Sequence, residues 1–141
     1  MKIITNSEKE TFDLAKFLAQ KAKGGEVYAL SGNLGAGKTV FARGFAAGLG
    51  IKRNVNSPTF VLMKIYPVKK HQTIKHLCHI DAYRLKSAVD LEAIGAGDYI
   101  GKKDSVSLIE WPEMAKLILT KNVKYVKIKQ EEENKRKIII T

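Results

Sequence analysis

Glu26-Val27-Tyr28-Ala29-Leu30-Ser31 runs without a break into Gly32-Asn33-Leu34-Gly35-Ala36-Gly37-Lys38-Thr39, and the reading of these fourteen residues decides the fold. Residues 26–31 are strand-length around the apolar run Val27 to Leu30, bounded by Gly24-Gly25 before and by Gly32 after, and so read as a buried strand. The eight residues that follow match the pattern G-x-x-x-x-G-K-[ST], and a helix is expected from about 37 to 49. Strand, glycine loop and helix stand in the order a phosphate cradle requires. Gly32, Gly35 and Gly37 admit backbone conformations closed to other residues, so successive amides can converge on an anion. The helix start adds the positive end of its dipole. In that arrangement Lys38 reaches the β- and γ-phosphates and the Thr39 hydroxyl meets magnesium. The expected ligand is a nucleoside triphosphate with Mg2+.

Upstream, Ser7-Glu8-Lys9-Glu10 is a capping box, and Leu14, Phe17, Leu18 and Ala22 recur at helical spacing behind it. A helix is expected to run to about 22. Downstream, a polar connection (52–58) leads to a strand over 60–66, a turn over 67–72, and a return strand over 74–80 that delivers Asp81 at its end. A short helix is expected around 91–94, then a buried strand over 105–109 ending at Glu110, and a short helix after Pro112. Two strands close the chain, 123–128 and 137–141, linked by the charged turn 131–136. The expectation is a single α/β domain spanning 1–141, a P-loop NTPase of three layers with a mostly parallel central sheet plus antiparallel strands.

Composition narrows the setting. A chain of 141 residues with 45% hydrophobic content can bury one core. No apolar run approaches the roughly 20 residues of a membrane span, and the start, Met1-Lys2-Ile3-Ile4-Thr5-Asn6, lacks a signal-peptide core, so a cytoplasmic location is expected. Cys78 is the only cysteine, which excludes an internal disulfide. The net charge of +11 would attract polyanions, but no RNA-binding module motif accompanies it, and lysines are spread along most of the chain.

The metal and the attacking water need a carboxylate at the end of a strand that neighbours the loop. Asp81 and Glu110 both qualify, and either could hold the metal while the other orients the nucleophile. Asp98-Tyr99-Ile100-Gly101 and Gly101-Lys102-Lys103-Asp104 imitate GTPase signatures, yet they overlap and follow no strand, which favours adenine. A small kinase stays open, since Arg84 could clamp a transferred phosphate, and so does a nucleotide-gated binding module without useful hydrolysis. Arg43 and Arg84 could equally stabilise charge in hydrolysis or make surface salt bridges. His71, His76 and His79 read as structural; the last two, an odd interval apart in a strand, point to opposite faces.

Four segments together resemble the TsaE family, also called YjeE: Gly32 to Thr39; Asn54-Val55-Asn56-Ser57-Pro58-Thr59-Phe60; His79-Ile80-Asp81-Ala82-Tyr83-Arg84-Leu85; and Leu108-Ile109-Glu110-Trp111-Pro112-Glu113. The first is shared by many ATPases, whereas the Ser-Pro-Thr-Phe and Glu-Trp-Pro pieces are more particular. Asp90-Leu91-Glu92-Ala93-Ile94-Gly95 and Asp98-Tyr99 resemble the family's linking segment. The resemblance implies a slow ATPase required for the threonylcarbamoyl group on adenosine 37 of tRNAs that read codons beginning with A. It would act on TsaD and TsaB type proteins and reach tRNA indirectly, with direct contact left open. Carried over, ATP contacts Thr11, Gly32, Asn33, Leu34, Gly35, Ala36, Gly37, Lys38, Thr39 and Val40. Thr39 and Glu110 become the magnesium ligands, Lys38, Asp81 and Glu110 the catalytic group, with Asp81 organising water or metal. Ser57, Pro58 and Thr59 become a switch loop around the γ-phosphate, and Trp111 lies near the site. Asn33, Val40 and Ala82 depart from the family's usual acidic residue, Thr and Leu, which touches fine tuning and not Lys38, Thr39 or Glu110.

Overall fold

Ser7 starts the first helix, α1 (Glu8–Lys21), by accepting the Glu10 amide at 3.1 Å. The Glu10 carboxylate reaches back one residue further than a standard capping box, to the Asn6 amide at 2.6 Å. The computed structural model of the chain describes residues 1–33, 35–52, 55, 62–82, 85, 87–110 and 122–141. Leu34, Ser57, Pro58, Thr59, Phe60, Arg84, Trp111 and the helix expected after Pro112 lie outside the described residues.

The buried stripe of α1, Thr11, Ala15 and Ala19, recurs every four residues and packs on α2 (Lys38–Gly48). Small residues on both sides let the two backbones meet. A Cβ added at Gly44 would overlap the Phe12 carbonyl, and one added at Gly48 would overlap the Lys16 carbonyl and stand 2.7 Å from the Ala19 Cβ. Gly44→Ala is therefore expected to destabilise by about 1–3 kcal/mol, despite the roughly 1 kcal/mol that alanine adds to helix propensity. Thermal unfolding checks this, with Gly97→Ala as comparison, because a Cβ at Gly97 meets nothing within 4 Å.

Seven strands form one sheet: β1 (Lys2–Thr5), β2 (Val27–Ser31), β3 (Met63–Pro67), β4 (His76–Asp81), β5 (Ser105–Glu110), β6 (Val123–Gln130) and β7 (Arg136–Ile140). Their order is β1-β7-β6-β2-β5-β4-β3. The centre, β6-β2-β5-β4, is parallel; β3 closes one edge and β7 with β1 the other, all antiparallel. The antiparallel share is larger than the sequence suggests, because β1 gives no sequence signal of its own. Four residues are too few for a readable alternation, and β1 exists only because β7 offers it a partner. Several boundaries also move: β4 starts at His76 and not at 74, Pro67, expected in a turn, ends β3, β6 runs on to Gln130, and β7 spans Arg136–Ile140.

Alternation along the buried strands sorts side chains into two layers. Tyr28, Leu30, Leu77, Val106 and Leu108 join α1 and α2 on one face. Val27, Cys78, Ile80 and Ile109 pack on the other face with Leu91 of α3 (Ala88–Ala93) and Ala96 of a short 3-10 turn (Ala96–Asp98). The helix expected near 91–94 begins earlier because Ser87 caps it, accepting the Asp90 amide at 3.4 Å. Among the described residues no helix is long and apolar enough to cross a membrane.

Candidate functional site

Three neighbouring parallel strands end at one place. β2 ends at Ser31 and opens into the glycine loop, the register sets Leu30 beside Glu110, and it sets Glu110 beside Asp81. Adjacent strands lie about 4.8 Å apart, so backbone pairing alone brings both carboxylates to the mouth of the loop. Even spacing from Leu77 and Leu108 turns Asp81 and Glu110 toward the α2 side of the sheet. Asp81 is 6% exposed and Glu110 2%.

The loop is shaped by close approach and by backbone handedness. Gly32 passes so near β6 that a Cβ there would sit 2.5 Å from the Ile128 carbonyl oxygen. Gly37 occupies the N-cap of α2 at φ 114, a region that favours glycine, and has no side chain with which to cap the first turn. That first turn carries no acidic residue, so the positive end of the helix is uncompensated from within α2. Between them the Ala36 amide donates to the Asn33 carbonyl at 2.9 Å.

Lys38 is buried, and its Nζ donates to the Gly32 carbonyl and, at 3.4 Å, to that of Asn33. Loss of hydration pushes its pKa below the ordinary 10.5, against the opposing pull of Glu110 and then of Asp81. Two buried carboxylates thus stand with the Lys38 ammonium at the loop, oxygen donors of the kind a hard divalent cation takes. Thr39 follows at the half-buried second position of α2. Hard oxygens in this number fit magnesium, which takes one or two carboxylates and leaves its remaining positions to phosphate and water. Among the described residues no group of three or more His, Cys, Asp or Glu side chains gathers as a cage.

The flank of the loop is built by parts distant in sequence. Thr11 is buried, its hydroxyl 2.7 Å from that of Thr5 and also donating to the Ser7 carbonyl at 3.4 Å. Strand β1 thereby fixes the start of α1 against the loop. Glu8, Thr11, Gly37, Val40 and Arg136 line a cleft there. Arg136 reaches in from β7: its Nε donates to the Ala36 carbonyl at 2.8 Å and its Nη1 to the Glu133 carbonyl at 3.1 Å. No local pattern marks Arg136, which meets the loop only through strand order.

His79 is the second residue that the sequence reading leaves aside. Its Nε2 lies 3.4 Å from the Glu110 Oε2, with both side chains buried. Neither ring nitrogen has a hydrogen-bond partner among the described residues. A usable signal existed, since His79 and Asp81 share strand parity and must share a face. The structural reading holds for His71, whose Nδ1 accepts the amides of Thr73 and Ile74 while Nε2 meets the Ala22 carbonyl at 3.2 Å. His76 packs edge-on against Tyr99 on the opposite face of the sheet. Arg43 donates to the Val55 carbonyl at 3.2 Å.

Residues 5–138 match the sequence profile of the family described as threonylcarbamoyl adenosine biosynthesis protein TsaE. The chain belongs to the TsaE family. A relative from Bacillus subtilis (strain 168), described as tRNA threonylcarbamoyladenosine biosynthesis protein TsaE, is 39% identical over 137 residues, covering 97% of this chain and 82% of its own. TsaE proteins of the same description from Rickettsia prowazekii and Aquifex aeolicus are each 38% identical, covering 93% and 98% of this chain and 88% and 93% of theirs. Among solved structures, a crystal structure of Bacillus subtilis YdiB superposes with a TM-score of 0.74 at 35% identity, covering 98% of this chain and 82% of that one.

Proposed function

We propose that this TsaE family member is a P-loop ATPase, one domain acting in the cytoplasm. Its slow, magnesium-dependent hydrolysis serves formation of the threonylcarbamoyl group on adenosine 37 of tRNAs that read codons beginning with A. The group is transferred on a complex of TsaB and TsaD type proteins, and ATP turnover resets that complex. The observation that carries the reading is the convergence of Lys38, Asp81 and Glu110, all buried, on the glycine loop.

Lys38 exchanges the loop carbonyls it now holds for the β- and γ-phosphates, while loop amides and the start of α2 receive the remaining oxygens. Thr39 and Glu110 would hold Mg2+, which when bound would neutralise charge developing on the transferred phosphoryl group. Asp81 accepts a proton contact from the attacking water and aims it. Thr11 and Val40 flank the loop where they line a cleft with Arg136, and the nucleoside would approach from that side. Ser57, Pro58 and Thr59, which lie outside the described residues, are the candidates for sensing the γ-phosphate on the partner's behalf.

His79 then has a definite part: its Nε2, 3.4 Å from the Glu110 Oε2, is near enough to steady that carboxylate, which would serve Glu110 as a magnesium ligand. His79→Leu is expected to weaken magnesium affinity roughly 10- to 100-fold with little change in metal-free nucleotide binding, and His79→Gln is expected to recover part of the loss. Titration of Mn2+ into the nucleotide complex, followed by electron paramagnetic resonance, measures this directly.

Single-turnover cleavage of ATP, with and without the TsaB-TsaD pair, tests the function. Slow phosphate release alone, quickened by the partners and abolished by EDTA, is the expected result. Label appearing on a small-molecule acceptor would make the protein a kinase, and intact ATP under every condition would leave a nucleotide-gated binding module.

A further inference from the structure

The half of the sheet farthest from the carboxylates turns one face to the core and the other to solvent. Ile3, Val126, Ile128, Ile138 and Ile140 pack inward with α1 and α2. Alternation therefore sets Lys2, Ile4, Lys127, Lys129, Lys137 and Ile139 on the outer face. Pairing lines them up in rows: Lys127 opposite Ile139 opposite Lys2, and Lys129 opposite Lys137 opposite Ile4. Lys2, Ile4, Lys127 and Lys129 are exposed, and Lys137 and Ile139 are half-buried.

This face differs from an ordinary solvated surface in three respects. β1, β6 and β7 contain no Asp or Glu, so the charge is of one sign where a solubilising surface mixes both. Lys129 and Lys137 stand directly opposite each other, a like-charge pairing that destabilises a sheet. Among the described residues none of the four lysines is ion-paired, in contrast to Lys9, which bonds to Asp13 at 2.8 Å. Guarding a sheet edge would need a charge only on β1, whereas three of these lysines lie on interior strands. Glu131, Glu132 and Glu133 of the β6–β7 turn mark the border of the patch.

We propose that this outer face of β6, β7 and β1 is a docking surface for RNA, held through its phosphates. Lysines at alternate positions of β6 lie about 6.7 Å apart, and their flexible stems let point charges follow a backbone. Tyr125, two residues before Lys127 and 42% exposed on the same face, offers a ring on which an unpaired base can stack. An acidic protein partner fits less well, since protein interfaces are depleted in lysine and enriched in arginine. The surface is separate from the nucleotide site, so the inference does not depend on ATP hydrolysis. Arg136 and Lys137 are nonetheless neighbours on β7, one facing the glycine loop and the other facing this patch.

The test measures binding of the full chain to an unmodified tRNA transcript and to poly-glutamate across a salt series. Three proteins are compared: wild type, the patch triple Lys127→Glu/Lys129→Glu/Lys137→Glu, and a control triple Lys69→Glu/Lys70→Glu/Lys103→Glu with the same change in net charge. Wild type is expected to bind tRNA. The patch triple should lose at least tenfold in affinity, with a salt slope shallower by about 2 to 3, as expected for three lost phosphate contacts. The control triple should lose less than about threefold, and Tyr125→Ala should lose roughly tenfold, as for one stacked base. Thermal unfolding and ATP binding verify the fold of each variant, and the corresponding Lys→Gln triple should show a smaller loss in the same direction if charge reversal unfolds the sheet. Equal losses in both triples, no tRNA binding by wild type, or tighter binding of poly-glutamate than of tRNA would each overturn the proposal.

Discussion

Lys38→Met is expected to abolish the rise in Tm that ATP induces while leaving the nucleotide-free protein at least as stable as wild type. The two halves of this outcome have different causes. Removing an ammonium that meets two phosphates in a buried site is worth about 3 kcal/mol or more, so affinity falls by roughly two orders of magnitude. Without nucleotide, burial makes the charged lysine unwelcome, which is why its pKa is below 10.5 in the folded chain. The unfolded chain then holds that proton more tightly than the folded one. The penalty is fully present below the lowered folded pKa and is relieved as pH rises from there toward 10.5, so wild-type stability gains across that window. The methionine variant carries no such penalty, and its Tm should lack that rise with pH. ATP binding by wild type should weaken as pH climbs through the same window, because the neutral amine no longer attracts phosphate. Differential scanning fluorimetry with and without ATP, over a pH series, reads all of these.

Glu110→Gln should separate binding from chemistry. The amide keeps the shape of a side chain that is 2% exposed, so the packing around it survives. Removal of the carboxylate charge takes away a metal ligand, worth several kcal/mol in phosphoryl transfer, and magnesium-dependent turnover should drop on the order of a hundredfold or more. Metal-free ATP should bind at least as well as to wild type, since one negative charge near the triphosphate is gone. Lys38 loses the larger of its two attractive carboxylate neighbours, and its pKa should fall further. Single-turnover kinetics at several Mg2+ concentrations, with calorimetry in EDTA, distinguish this from simple unfolding. Turnover that survived in Glu110→Gln and collapsed in Asp81→Asn would exchange the two roles.

The parts of the site that could be read from the sequence are those whose cause is local. The capping box at Ser7, the strand-loop-helix at 26–48 and the two strands ending in Asp81 and Glu110 each follow from residues within about one turn or one strand of each other. What escaped depends on contacts across the chain. β1 is specified by β7, some 134 residues away, and its Thr5 then pins Thr11. Arg136 bonds to Ala36 at a separation of 100 residues, and only the strand order β7-β6-β2 brings them together. His79 shares strand parity with Asp81, but its approach to Glu110 depends on the pairing of β4 with β5, which no local pattern encodes. The TsaE resemblance reached further than local patterns because it encodes the spacing of distant segments, and the family match over residues 5–138 agrees with it.

The register of β2, β5 and β4 has a bearing on how such a chain can change over time. Asp81 and Glu110 are set against the glycine loop by main-chain pairing, so within the connection between them the positions outside the buried Leu85, Leu91, Ala96 and Ile100 can change in length without moving either carboxylate. An insertion of a single residue inside β4 or β5 would instead turn one carboxylate to the opposite face of the sheet. Length variation in related chains should therefore collect at exposed positions of that connection and spare its buried residues.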